Sequence, residues 1–99
     1  MMTIEKIAAG SELTIKLGGR LDTTTAPQLE AELKQSTAGV TLLVFDFAAL
    51  EYLSSAGLRV LLSTQKLMNK QGQMIVRNIN DTIAEIFDVT GFADILTIE

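Results

Sequence analysis

Leu13, Ile15 and Leu17 alternate with Glu12, Thr14 and Lys16, which gives the extended chain one apolar face and one wet face, the period-two signature of a strand. A weaker strand pattern covers Thr3 to Ala8, and Gly10-Ser11 between the two supplies a two-residue turn, so the chain is expected to open on a β-hairpin. Gly18-Gly19 breaks the alternation. Asp22-Thr23-Thr24-Thr25 then leads into Pro27, a residue tolerated in a first helical turn. Thr25 and Gln28 have capping-box spacing, while proline at the first helical position would make Ala26 the cap. With either start, Leu29 and Leu33 share one side of a helix that ends before Gly39.

Val40 to Phe45 is almost wholly apolar and is bounded by Gly39 and Asp46, which predicts a central strand covered on both faces. Val60, Leu61, Thr64, Leu67 and Met68 recur at helical spacing after the Ser54-Ser55 junction, and Gly72 falls where a helix C-cap belongs. Met74-Ile75-Val76 is the next strand. Asn80, Asp81 and Thr82 offer caps for a third helix, Thr82 with Glu85 at capping-box spacing, and Ile83, Ile86 and Phe87 form its apolar stripe up to Gly91. Ile95 to Ile98 closes the pattern as a last strand. The order β-β-α-β-α-β-α-β implies crossover connections, hence an α/β fold with a mixed, mostly parallel sheet of about five strands and three main helices.

Composition narrows the class. Ninety-nine residues, 47% of them hydrophobic, suit a single domain spanning 1–99. No cysteine is present to make a disulfide or a thiolate ligand, so stability rests on packing. No histidine is present either, which removes the usual base for a serine nucleophile and the commonest transition-metal ligand and argues against an enzyme. The longest uncharged run, between Lys34 and Asp46, is shorter than the roughly 18–20 residues of a membrane helix. The first residues lack the basic and apolar regions of a secretory signal, so a cytoplasmic protein with no membrane attachment is expected. A net charge of −4 disfavours direct nucleic-acid binding. Charge is segregated: Arg59, Lys66, Lys70 and Arg77 occur with no acid among them, whereas Asp81, Glu85, Asp88, Asp94 and Glu99 occur with no base. Such asymmetry can orient a charged partner.

Candidate chemistry concentrates at Tyr52-Leu53-Ser54-Ser55-Ala56-Gly57-Leu58, where two hydroxyls lie between an apolar strand and an amphipathic helix. One serine can simply cap the helix. Alternatively, a phosphate added to Ser54 or Ser55 would meet the favourable field of a helix start. The run is no nucleophile elbow, because Leu53 stands where G-x-S-x-G needs glycine, and no G-x-x-x-x-G-K-[ST] loop occurs. Asp22, Asp46 and Glu51 have no metal-loop spacing and are expected to be structural; no cofactor is implied.

Gly19-Arg20-Leu21-Asp22 before the Pro27 helix, the apolar strand ending in Asp46, the run Tyr52 to Arg59, and Ile86-Phe87-Asp88-Val89-Thr90-Gly91-Phe92 together resemble the STAS domain of anti-sigma factor antagonists over nearly the whole chain. The resemblance implies a bacterial partner-switching protein that binds a serine-kinase anti-sigma factor, frees the sigma factor, and is switched off by phosphorylation. It places the phosphorylated serine at Ser55 and implies a phosphatase for reset. It puts Asp22 in a loop near this serine that helps form the kinase-binding surface; on this reading Thr23, Thr24, Leu53, Ser54, Ser55, Gly57, Leu58 and Arg59 are expected to line the contact, and Gly57 would let the partner's backbone approach closely. This chain carries Ser54 where phosphorylated members usually carry aspartate, and Ala56 where serine or threonine is common. Two other readings stay open on the residues alone: an unphosphorylated adaptor subunit of a transporter or scaffold, and a small-ligand or nucleotide-binding module.

Overall fold

The structure, a computed structural model, describes residues 2–99. Five strands form one sheet in the order β1-β2-β3-β4-β5. These are β1 (Met2–Ala9), β2 (Glu12–Leu21), β3 (Leu42–Leu53), β4 (Gln73–Arg77) and β5 (Thr97–Ile98). β1 and β2 are antiparallel, and the remaining pairings are parallel. Helices α1 (Ala26–Ser36), α2 (Ser55–Gln71) and α3 (Asp81–Thr90) make the crossovers, and a 3-10 turn, Phe92–Asp94, precedes β5. Among the described residues no helix is long and apolar enough to cross a membrane.

The hairpin and the three helices stand where the periodicity puts them, but two strands run further than expected. Gly18-Gly19 does not end β2. The strand continues to Leu21 through register shifts on either side of the pair, a bulged stretch that glycine admits. Gly19 has φ 83°, and a Cβ on Gly18 would come within 2.6 Å of the Thr3 hydroxyl. β3 passes Asp46 and reaches Leu53, because Asp46 faces basic partners, Lys16 on β2 and Arg77 on β4. β5 is shorter than expected, as the 3-10 turn takes up the chain before it.

Every parallel crossover steps the same way across the sheet, and right-handed crossovers then place all three helices on one face. The buried cluster agrees: it joins Ile15, Leu17, Leu43, Phe45, Phe47, Met74 and Val76 to Leu29 and Leu33 of α1, Leu61 and Met68 of α2, and Ile83 and Phe87 of α3. Val44 is buried but lies outside that cluster, in register between Thr14 and Ile75. The expectation that this strand is covered on both faces is therefore corrected. Its outer side is screened by flanking strands, not by a second layer.

On this outer face one row alternates in sign across the first four strands and ends on Glu99, the residue after β5. Glu5 pairs in register with Lys16, Lys16 with Asp46, and Asp46 with Arg77, whose Nη2 lies 3.2 Å from Glu99 Oε1. Opposite charges side by side on neighbouring strands favour this register over a slipped one. The Asn78 amide donates to Asp46 Oδ1 at 3.0 Å, reaching it from φ 61°, a left-handed conformation that asparagine tolerates. That hydrogen bond is the leading cause holding the Asp46 carboxyl below the usual aspartate value of 3.8; the Ala48 N–H, Lys16 and Arg77 add to it against partial burial. A depressed native pKa stabilises the fold above the unfolded-state value, and the contribution is lost as pH falls through the native one. Urea denaturation between about pH 3 and pH 6 should show stability falling on the acid side, with a shallower fall in Asp46→Asn. Identical acid limbs would remove Asp46 from the account.

Candidate functional site

β2 and β3 end side by side, Leu21 in register with Leu53, and the Ser54 N–H donates to the Leu21 carbonyl at 2.9 Å. This contact brings two loops together at the carboxyl ends of adjacent parallel strands, where open α/β sheets commonly bind their ligands. In the first loop Asp22 acts as a clasp. Its Oδ1 accepts from the Thr24 N–H at 3.0 Å, the Thr24 hydroxyl at 2.7 Å and the Thr25 N–H at 3.2 Å, while its carbonyl accepts from the Ala26 N–H at 2.8 Å. The Thr24 hydroxyl is the chief cause that holds the Asp22 carboxyl below its ordinary value. Buried Thr25 turns its hydroxyl back to β2, receiving the Asp22 N–H at 2.8 Å and donating to the Arg20 carbonyl at 2.9 Å. The expected Thr25–Gln28 capping box is therefore not formed: Thr25 is the N-cap residue, but its side chain is engaged upstream. At α3 the offered caps resolve to Asn80, which accepts from the Ile83 N–H at 2.8 Å, rather than Thr82.

In the second loop Ser54 is the N-cap of α2 and Ser55 its first helical residue. Neither hydroxyl makes a cap hydrogen bond. The Ser54 oxygen is buried with no partner among the described residues, whereas Ser55 is exposed. α2 has no acid in its first turn, and Leu58 supplies its first helical hydrogen bond, to the Ser54 carbonyl at 2.9 Å. The N–H groups of Ser55, Ala56 and Gly57 precede that bond and have no acceptor within the helix.

Of the residues expected on the contact surface, Thr23, Thr24, Ser55 and Arg59 are exposed, and Asp22 and Ser54 are partly so. Leu53, Gly57 and Leu58 are buried, which corrects their place on that surface. A Cβ on Gly57 would lie 2.6 Å from Leu53 Cδ1 and 2.7 Å from Leu21 Cγ, so the missing side chain admits the protein's own strand ends and not a foreign backbone. Leu53 and Leu58 join the core beneath the serine.

The structure also brings in residues that sequence reasoning passed over. An open hollow of about 410 Å³ between the starts of α1 and α2 sets Pro27, Glu30, Ala56 and Ser63 beside the already expected Thr23 and Arg59. On the other side of Asp22, the Arg20 guanidinium stacks 4.4 Å over the Tyr52 ring, and Arg20 Nε lies 3.9 Å from Asp22 Oδ2. The signal for that pair was the strand register, which only the paired sheet reveals: Arg20 stands beside Tyr52 just as Leu21 stands beside Leu53. Asp22, Asp46 and Glu51 do not converge, and among the described residues no group of three or more acids is placed to hold a metal ion.

Residues 3–99 match the family model of the STAS domain. The chain belongs to the STAS family. This STAS chain is 36% identical over 99 residues to BtrV of Bordetella bronchiseptica, a protein assigned as an anti-sigma factor antagonist, in an alignment covering 98% of the chain and 84% of that protein. It is similar in fold to a Mycobacterium paratuberculosis anti-sigma factor antagonist, with TM-score 0.90, 24% identity, and 99% and 85% of the two chains covered. The Bacillus cell fate determinant SpoIIAA in its phosphorylated form is also similar in fold, with TM-score 0.75, 20% identity, and 100% and 91% covered.

Gly57 packs without a side chain against Leu21 and Leu53 beneath the Ser55 turn. Gly57→Ala should destabilise the domain by about 1–3 kcal/mol through overpacking against Leu21 and Leu53, read from the shift of the urea midpoint. An unchanged midpoint would show that the two leucines yield freely.

Proposed function

We propose that this chain is an anti-sigma factor antagonist whose Ser55 surface docks a serine-kinase anti-sigma factor, so that the sigma factor is released. The single observation that carries the reading is the exposed Ser55 hydroxyl at the head of α2, set beside the clasped Asp22 loop. Thr23, Thr24 and Arg59 complete the accessible rim, and Leu21, Leu53, Gly57 and Leu58 hold it from below. The name of BtrV and the family membership support antagonism, and SpoIIAA in its phosphorylated form shows that this fold accommodates a phosphorylated state.

The switch is electrostatic. The kinase moves the γ-phosphoryl group of ATP onto Ser55 Oγ; a P–O bond forms there, ADP leaves, and the hydroxyl proton is released. A phosphatase restores the hydroxyl by hydrolysis. The modification adds roughly −1.5 to −2 charges at the centre of the contact. In a complex that surface is desolvated, and an unmatched charge there costs more than the ~1.4 kcal/mol that separates tenfold changes in affinity. The helix start tolerates the same charge when the protein is free, so no refolding is needed.

Titration calorimetry with the cognate anti-sigma factor should give Ser55→Ala an affinity near that of the unmodified protein, and Ser55→Asp an affinity weaker by about tenfold or more at similar thermal stability. Equal affinities for the unmodified protein and Ser55→Asp would defeat the switch. Incubation with that kinase and ATP should add roughly 80 Da, and Ser55→Ala should abolish the increment. The exposed bases of α2, Arg59, Lys66 and Lys70, join none of the ion pairs among the described residues and are free to attract an acidic partner. The association rate should accordingly fall steeply with added salt, and a flat dependence would remove steering.

A further inference from the structure

Arg59 lies four residues after Ser55 on α2, and both are exposed. Side chains at i and i+4 are neighbours on a helix, and long side chains lean toward the helix N-terminus, so the patch covered by Arg59 is the turn that carries Ser55. The pair also has the favourable order, since an anion placed N-terminal to a cation agrees with the helix dipole. None of the four ion pairs among the described residues includes Arg59. Two acids beside the site are engaged elsewhere. Glu30, which lines the same hollow from α1, is 3.7 Å from Lys34, and Asp22 is held by the threonine clasp with Arg20 beside it. The buried, unpartnered Ser54 hydroxyl leaves the capping role at this helix start unfilled.

We propose that Arg59 receives the phosphate of Ser55 within the same helix, and that phosphorylation thereby withdraws this guanidinium from the surface offered to the partner. The inference rests on the Ser55 switch proposed above and deepens its regulation. Phosphorylation then acts twice, adding a repelling charge and silencing an attracting one. A guanidinium matches phosphate bidentately, whereas lysine supplies only a point charge, which sets the order of the variants.

The test installs phosphoserine at position 55 of the full chain during synthesis, so that it depends on no kinase. Phosphorus NMR titration follows the second ionisation of the phosphate, near pH 6 in an unperturbed phosphoserine. At a fixed pH near that midpoint, the ratio of dianion to monoanion should be about twofold or more higher in the Arg59 protein than in Arg59→Gln, with Arg59→Lys between them. Phosphorylation should also raise the melting temperature more in the Arg59 protein than in Arg59→Gln. Equal ionisation ratios and equal melting changes in the three proteins would overturn the clamp. Failure of the kinase to add 80 Da to Ser55 is a separate outcome: it would remove the switch while leaving the measured pairing of phosphate and arginine intact.

Discussion

The hydrogen bond from the Ser54 N–H to the Leu21 carbonyl, together with the register that sets Leu21 beside Leu53, is the constraint from which the site follows. Two parallel strands end at the same level, so the loops that leave them must lie together. One loop folds on itself through Asp22, Thr24 and Thr25, and the other enters α2 at once. The first loop is also tied to its own strand, because the buried Thr25 hydroxyl donates to the Arg20 carbonyl of β2. The site is positioned by backbone pairing and only decorated by side chains.

Gly57 and Gly72 show how tightly the second helix is seated. At one end the absent Cβ of Gly57 lets α2 lie directly on Leu21 and Leu53. At the other, a Cβ on Gly72 would fall within 1.9 Å of the Thr41 carbonyl oxygen, so the exit of α2 is as confined as its entry. Gly72 has φ 170°, so space and not backbone conformation demands glycine there. With both ends pinned, the exposed hydroxyl of Ser55 has a fixed position relative to the Asp22 loop. A docking surface of the kind proposed for Ser55 gains from that rigidity.

Charge is distributed in two ways. On the outer face of the sheet, acids and bases alternate along the row from Glu5 to Glu99, and Arg77 and Glu99 close it as an ion pair. On α2 the bases stand without acids, and the acidic side chains near the Ser55 end are already engaged. The first pattern specifies register and the second leaves a field for something outside the chain. The separation explains why a chain of net charge −4 can still present a basic helix beside the exposed Ser55.

The periodicity of apolar residues was enough to order the elements, because period two and period 3.6 are local properties of strand and helix that survive without tertiary context. The Ser54-Ser55 junction and the Asp22 loop were legible for the same reason, as polar runs between periodic segments. Where each strand ends was decided elsewhere: Asp46 remains in β3 because Lys16 and Arg77 face it, and Gly18-Gly19 remain in β2 because the strand bulges there. The roles of Leu53, Gly57 and Leu58 likewise passed from surface to core once the ends of β2 and β3 met α2. Local sequence determines which segments can form and where chain direction changes. Which side of each segment faces water, and which hydroxyl of two neighbours can be reached, depends on residues distant in the chain and is settled only by packing.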